Sequence, residues 1–149
     1  EVDVEAIIDA WKQNSVVSED VKRDGCDQFR RALQSKEVLR ALSRPAETAE
    51  LWREKSFEII LEQEGWVRGT FDRVVICREA AGKAYSARVQ DFKSDRINDA
   101  DAFDAAADRY RPQLSLYGKA VAEMLGVNAS VVSLQLVFTR APRVYDLTA

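Results

Sequence analysis

The stretch Tyr85-Ser86-Ala87-Arg88-Val89-Gln90-Asp91-Phe92-Lys93 reads as a β-strand, and its last four residues govern the reading of the whole chain. Alternate side chains of a strand share a face, so Asp91 and Lys93 point the same way while Phe92 points into the core. A carboxylate and an ammonium in this relation suit metal-assisted phosphodiester hydrolysis. The carboxylate holds a hard cation such as Mg2+ or Mn2+. The lysine orients or activates the attacking water and offsets charge on a phosphorane-like transition state.

Upstream of this strand lie two more. In Leu51–Gln63, Phe57, Ile59 and Leu61 alternate with the charged Glu58 and Glu62, which is a strand period. Gly65 allows a tight reversal, Gly69–Cys77 forms the second strand, and Glu79–Lys83, with Gly82, is a turn. The three strands make an antiparallel meander. Asp72, in Gly69-Thr70-Phe71-Asp72-Arg73, interrupts the apolar run Val67–Cys77, and a hairpin can set it beside Asp91. Two carboxylates on neighbouring strands repel unless a cation lies between them.

The flanks complete the fold class. Residues 3–42 read as helices: Val4, Ile7, Ile8 and Trp11 at helical spacing, a second helix capped by Ser18, and a short third capped by Ser35 and stopped by Pro45. Downstream, Asn98–Ala107 reads as a polar, Ala-rich loop running into a helix. Pro112 fits a first turn better than a helix interior, which starts the main helix near Tyr110 and ends it at Gly126. Ser130–Thr139 alternates as a fourth strand, and Val144–Leu147 is a short fifth. The expected architecture is α/β: a mixed central sheet, meander plus further strands, flanked by helices. It forms a single domain over 1–149, with a helical segment at 1–50 and the core at 51–149. On the main helix Gln113 and Tyr117 are spaced i, i+4 and share a face, from which both can hydrogen-bond phosphate oxygens or water.

The series G-x-x-D (Gly69 to Asp72), D-F-K-S (Asp91 to Ser94) and Q-x-x-x-Y (Gln113 to Tyr117) resembles, in order and spacing, the nuclease domain of the RecB and AddA helicase-nucleases, a branch of the PD-(D/E)xK nucleases. Arg53-Glu54-Lys55-Ser56-Phe57 resembles the R-E-x-x-F segment that precedes these motifs, so the likeness runs over roughly residues 50 to 140. The resemblance implies a restriction-endonuclease-like fold and a metal-dependent DNA exonuclease for repair or recombination. Asp72 and Asp91 would then ligate Mg2+ or Mn2+, and Lys93 would stand near the attacking water. Gln113 and Tyr117 would support the site and the DNA backbone, with Glu54 behind the metal ligands. It also implies DNA ends or single strands as substrate, and helicase domains on the same or a partner chain. The chain departs from the family in having no His, whereas these nucleases have an upstream helix whose His contributes to the metal site.

Composition bounds these readings. With no His, His-based zinc sites and Ser-His-Asp triads are excluded, and Cys26 and Cys77 are too few for a zinc site made of thiolates alone. Two cysteines make no disulfide framework, so a cytoplasmic location is expected, with Cys77 as a small buried hydrophobe. No apolar run reaches bilayer length and no basic leader precedes the first helix, so no membrane partner is expected. The absence of an initiator Met suits a fragment of a larger helicase-nuclease. No G-x-x-x-x-G-K-[ST] loop occurs, which puts any ATPase outside this sequence.

The net charge of −3 sits poorly with DNA binding unless the cations gather on one face or another part of a longer protein holds the strand. Arg109, Arg111 and Lys119 flank the main helix and are candidates for phosphate contact, or equally a solvated face. A lone D-x-K is commonly a solvated ion pair. Gln113 with Tyr117 alone would be a half-buried helix face, and Glu54 alone one charge of an alternating strand. The alternative function is a non-catalytic DNA- or helicase-binding module that retains the nuclease fold.

Overall fold

The computed structural model describes residues 3–147. Three helices come first: α1 (Val4–Asn14), α2 (Glu19–Gln34) and α3 (Lys36–Leu42). A meander follows, of β1 (Glu50–Leu61), β2 (Gly65–Arg78) and β3 (Ala84–Lys93). The long helix α4 (Ala100–Leu125) then crosses to β4 (Val132–Phe138), which pairs parallel to β3, and β5 (Arg143–Leu147) turns back antiparallel to it. The result is one mixed five-stranded sheet in the order β1-β2-β3-β4-β5, with helices on both faces. Among the described residues no helix is long and apolar enough to cross a membrane.

The two faces of the sheet carry different interiors. The larger core lies under α4, where Phe71, Val74, Ile76, Val89, Leu136 and Phe138 meet Ala107, Leu114 and Val121. Gly118 lets α4 lie close to β4, since a Cβ there would stand 2.7 Å from a Leu134 methyl group. The opposite face is thinner: Ala32 and Val38, from α2 and α3, pack on Val137 with Leu42, Phe92 and Val144 at the margin. Phe92 thus faces away from Asp91 as the strand period requires, toward the N-terminal helices.

Several boundaries differ from those read off the sequence. β2 begins at Gly65, four residues ahead of the expected Gly69, because Val67 pairs with Ile59 and is buried in the α4 core. The single turn Ala129–Val131 takes the first residues assigned to the fourth strand. Ser18 stands at the N-terminus of α2 without a side-chain cap bond, whereas Ser35 does cap α3, accepting the Val38 N–H at 3.3 Å. Cys77 is half-buried on the thin face rather than a core residue.

The largest correction concerns α4. It starts at Ala100, capped by Asp99, which accepts the Ala102 N–H at 2.8 Å, and it runs through Pro112 without stopping. Alanines favour the helix, and Ala106, Ala107 and Leu114 anchor it on the sheet either side of the proline. Pro112 and Asp108 both face solvent, so water can satisfy the carbonyl that proline leaves without a donor.

An interior proline that survives only through tertiary packing leaves strain to be relieved. Pro112→Ala is expected to raise the unfolding free energy by about 1–3 kcal/mol in urea titration. No gain would mean that α4 has already relaxed around the ring.

Candidate active site

The sheet opens at Asp72. Pairing between β2 and β3 runs from Arg78 back to Arg73 opposite Gln90 and stops there, one step short of Asp72 opposite Asp91. In place of a backbone carbonyl, the Asp72 carboxylate accepts the Phe92 N–H at 2.7 Å. On the other side, β1 pairs with β2 on either side of one gap, Glu54 opposite Asp72. Glu54 has φ 46°, the one non-glycine positive value among the described residues, a conformation that costs about 1–2 kcal/mol. The two strands change parity there. Trp52 and Val74 face α4 before the gap; Phe57 and Phe71 face it after. An even-to-odd switch in two paired strands needs a defect in both, and Glu54 and Asp72 absorb it.

Asp91 points toward α4 and is 5% exposed. Lys93, on the same side of β3, forms an ion pair with Asp91 Oδ2. Among the described residues this buried oxygen has no partner beyond that ammonium. Burial pushes the Asp91 carboxyl above its ordinary range; Lys93 draws it back, and the neighbouring Asp72 charge pushes it up again. Lys93 Nζ is also held 4.2 Å from the centre of the Tyr110 ring, whose hydroxyl donates to Asp95 at 3.1 Å.

Gln113 and Tyr117 follow Tyr110 along the same side of α4, with Gln113 Nε2 3.3 Å from the Tyr117 hydroxyl. Tyr117 packs edge-on against Phe57 and Phe71, at 5.4 Å from each, and those two rings stack at 4.1 Å. A Cβ at Gly69 would lie 2.9 Å from the Tyr117 hydroxyl and 3.0 Å from the Phe57 ring. The glycine of G-x-x-D and the tyrosine of Q-x-x-x-Y therefore need each other: one clears the space that the other fills.

The architecture and this site can be set beside known proteins. A family model described as the PD-(D/E)XK nuclease superfamily matches residues 1–148. The chain belongs to that superfamily. It is also 42% identical, over 62 residues, to an ATP-dependent helicase/nuclease subunit of Limosilactobacillus fermentum (strain NBRC 3956 / LMG 18251). That match covers 40% of this chain and 5% of the relative's own length. The mixed sheet with flanking helices is thus a restriction-endonuclease-like PD-(D/E)XK fold, and the chain is a nuclease domain by family.

Superfamily members generally use divalent metals, and the donor set here accords with that chemistry. Asp91 Oδ2 is a buried acceptor with no partner beyond the Lys93 ammonium among the described residues, and Asp72 stands on the adjoining strand. No group of three or more Asp, Glu, Cys or His side chains converges among the described residues. Two carboxylates are the number that suits Mg2+, which keeps several of its waters.

The three cations singled out for phosphate contact are each held by a carboxylate. Arg109 pairs with Asp95, Arg111 with Asp108 at 3.2 Å, and Lys119 with Glu64.

Sequence reading missed the reverse side of the site. Arg53, Arg73, Gln90, Gln135 and Asp146 stand opposite one another across all five strands. Arg73 donates to Gln90, Gln90 Nε2 donates to Gln135 Oε1 at 2.7 Å, and Gln135 Nε2 donates to Asp146 at 2.7 Å. Arg73 and Gln90 also reach the last carbonyls of α3, Leu42 and Ala41, each at 2.8 Å. The row seats α3 on the sheet one residue away from both Asp72 and Asp91. Gln90 is fully buried, so its amide must have partners, but in the sequence it reads as a solvated strand residue.

The burial of these groups has measurable consequences. Folding raises the Asp91 pKa, so the folded chain holds that proton more tightly and stability falls as pH rises through the raised value. In EDTA, Asp91→Asn should be more stable than the parent at neutral pH and should lose that advantage below about pH 4. A constant difference across pH would rule out the titration.

Gln90→Leu and Arg73→Met should each lower the unfolding free energy by about 3 kcal/mol, by stranding buried partners. The double variant should lose at least about 1 kcal/mol less than their sum. Strict additivity would mean that the two side chains act independently.

Proposed function

We propose that this chain is a divalent-metal-dependent deoxyribonuclease domain, an exonuclease acting on DNA ends or single strands. In this reading it serves a cytoplasmic helicase-nuclease of the RecB and AddA kind in repair or recombination. The observation that carries the proposal is Asp91: a buried carboxylate made costly by its surroundings, with Asp72 across from it and Lys93 paired to its buried oxygen. Desolvated like charges are kept at a site where a cation neutralises them.

Asp72 and Asp91 would hold Mg2+ or Mn2+. The ion supplies Lewis-acid polarisation of the phosphoryl group and a lowered pKa for water. The rest of the chemistry falls to the chain. Lys93 lends positive charge beside the attacked phosphorus and orients the incoming water, whose oxygen bonds to phosphorus as the ester P–O bond breaks and the leaving oxygen takes a proton. The Tyr110 ring and the Asp91 carboxylate set the direction of the lysine. Gln113, exposed on α4, is free to reach a phosphate oxygen, and Tyr117 fixes α4 against the β1–β2 hairpin. Glu54, in a strained backbone opposite Asp72, is the next acid in line and supports the metal ligands. Arg109 and Arg111 would meet DNA only by exchanging a carboxylate for a phosphate, as would Lys119.

A second reading, a binding module without turnover, draws on the same Lys93–Asp91 pair, because an internal cation already stands where a metal would bind. Metal titration separates the two. Calorimetry with Mn2+ should show binding to the parent chain and to Lys93→Ala, and none to Asp72→Asn or Asp91→Asn. Cleavage of labelled single-stranded DNA in Mn2+ should fall at least about 100-fold in Lys93→Ala. Cleavage at the parent rate would remove Lys93 from the mechanism, and absence of Mn2+ binding to the parent would favour the module.

A further inference from the structure

Several cations gather on the face behind the site. Lys36 and Arg40 lie one turn apart along α3, about 6 Å, and Arg44 follows just beyond its last turn. Lys36 and Arg40 line a groove whose other wall includes Arg88, from β3. Arg53 stands on β1 directly opposite Arg73. Among the described residues none of Lys36, Arg40, Arg44, Arg53 and Arg88 pairs with a carboxylate; Arg31, Lys55, Arg68, Lys83, Arg96 and Arg143 have no ion pair either, so what sets the five apart is that they gather around one groove and around Arg73.

These charges also act on one another. Burial first, and then repulsion from Arg53, Arg88 and Arg44, lowers the affinity of Arg73 for its proton. Two acids share the groove with Lys36, Arg40 and Arg88: Glu37 accepts the Val144 N–H, and Asp146 accepts from Gln135. A chain with net charge −3 has carboxylates to spare, so a run of unpaired like charges on one face is an unfavourable arrangement that a polyanion would relieve.

We propose that Lys36, Arg40, Arg44, Arg88 and Arg53 form a track for the phosphate backbone of a single DNA strand, leading along α3 and over the thin face of the sheet to the margin of the active site. Arg53 and Arg73 neighbour Glu54 and Asp72 in sequence, so the track ends at the gap in strand pairing, on the face of the sheet opposite Asp91. The occupant is one strand, the substrate proposed above: Lys36 and Arg40 on one wall of the groove and Arg88 on the other can hold a single phosphate backbone between them. Lys36 and Arg40 recur on the scale of successive phosphates, and the contacts carry no base preference. That the polymer is DNA rests on the function proposed above; the track itself rests on the charges.

The test is anisotropy of a labelled single-stranded oligonucleotide with the full chain in EDTA, over a range of salt. The variants are K36Q/R40Q/R88Q and, as a control of equal net charge, K12Q/R23Q/K83Q. Circular dichroism checks that both fold. The track variant should bind at least about tenfold more weakly at low salt, and its slope of log K against log salt should fall by about 2, three contacts at about 0.7 each. The control should keep the parent slope. Equal effects in both variants, or none in either, would overturn the track. So would a duplex that loses as much slope as the single strand, or poly-glutamate that displaces the strand at equal charge. Lys93→Ala keeps the parent slope if the track is right; full cleavage by that variant would overturn the catalytic reading and leave the track standing.

Discussion

Asp91 is buried with Lys93 at its side and Asp72 across from it, and the balance of the three makes its negative charge costly. A fold optimised for stability alone would place a valine there, as the rest of the β3 core does with Val89. Removing a carboxylate from water costs several kcal/mol, and one flexible ammonium does not return it all. Much of the local architecture serves to keep this acid in place. β2 leaves its pairing at Asp72, β1 leaves its own at Glu54, and an Asp72 oxygen takes over the Phe92 N–H that a continuous ladder would have satisfied. The sheet gives up regular pairing at one point, and at that point the acids of the two hairpin strands meet.

Such a defect needs support, and both faces provide it. Under α4 the support is aromatic: Tyr117 wedges between α4 and the Phe57–Phe71 stack, over a glycine that leaves it room. Behind the sheet it is polar: Arg73 and Gln90 tie the strands carrying Asp72 and Asp91 to the end of α3. The N-terminal helices thereby become part of the site's framework. The polar row also explains how a guanidinium can be buried without a carboxylate. Gln90 and the carbonyl end of α3 share its charge, and the helix dipole points the favourable way.

Much of this was legible in the sequence, for a physical reason. Period-2 alternation fixed β1, and the D-x-K spacing set Asp91 and Lys93 on one face with Phe92 on the other, because a strand admits no alternative. The meander followed from Gly65 and Gly82, which take the positive φ their turns require. The start of α4 was not legible. Local rules stop a helix at Pro112, and only burial of Ala106, Ala107 and Leu114, a tertiary fact, carries it through. The polar row escaped as well. Gln90 and Gln135 look like solvated strand residues until the parallel register of β3 with β4 is known, and nothing in either segment encodes that register. Tyr110 and Asp95 were passed over because they belong to no motif, yet they set the direction of Lys93 and hold Arg109.

The central claim is that Asp72 and Asp91 together form a cation site. Anomalous diffraction from crystals soaked in Mn2+ tests it without reference to turnover. The expected result is a single strong peak about 2.0–2.2 Å from one carboxylate oxygen of each residue, the distance range of a small hard cation, and no such peak in crystals of Asp91→Asn. A peak elsewhere on the chain, or a site left empty at millimolar Mn2+ with Lys93 still against Asp91, would contradict it.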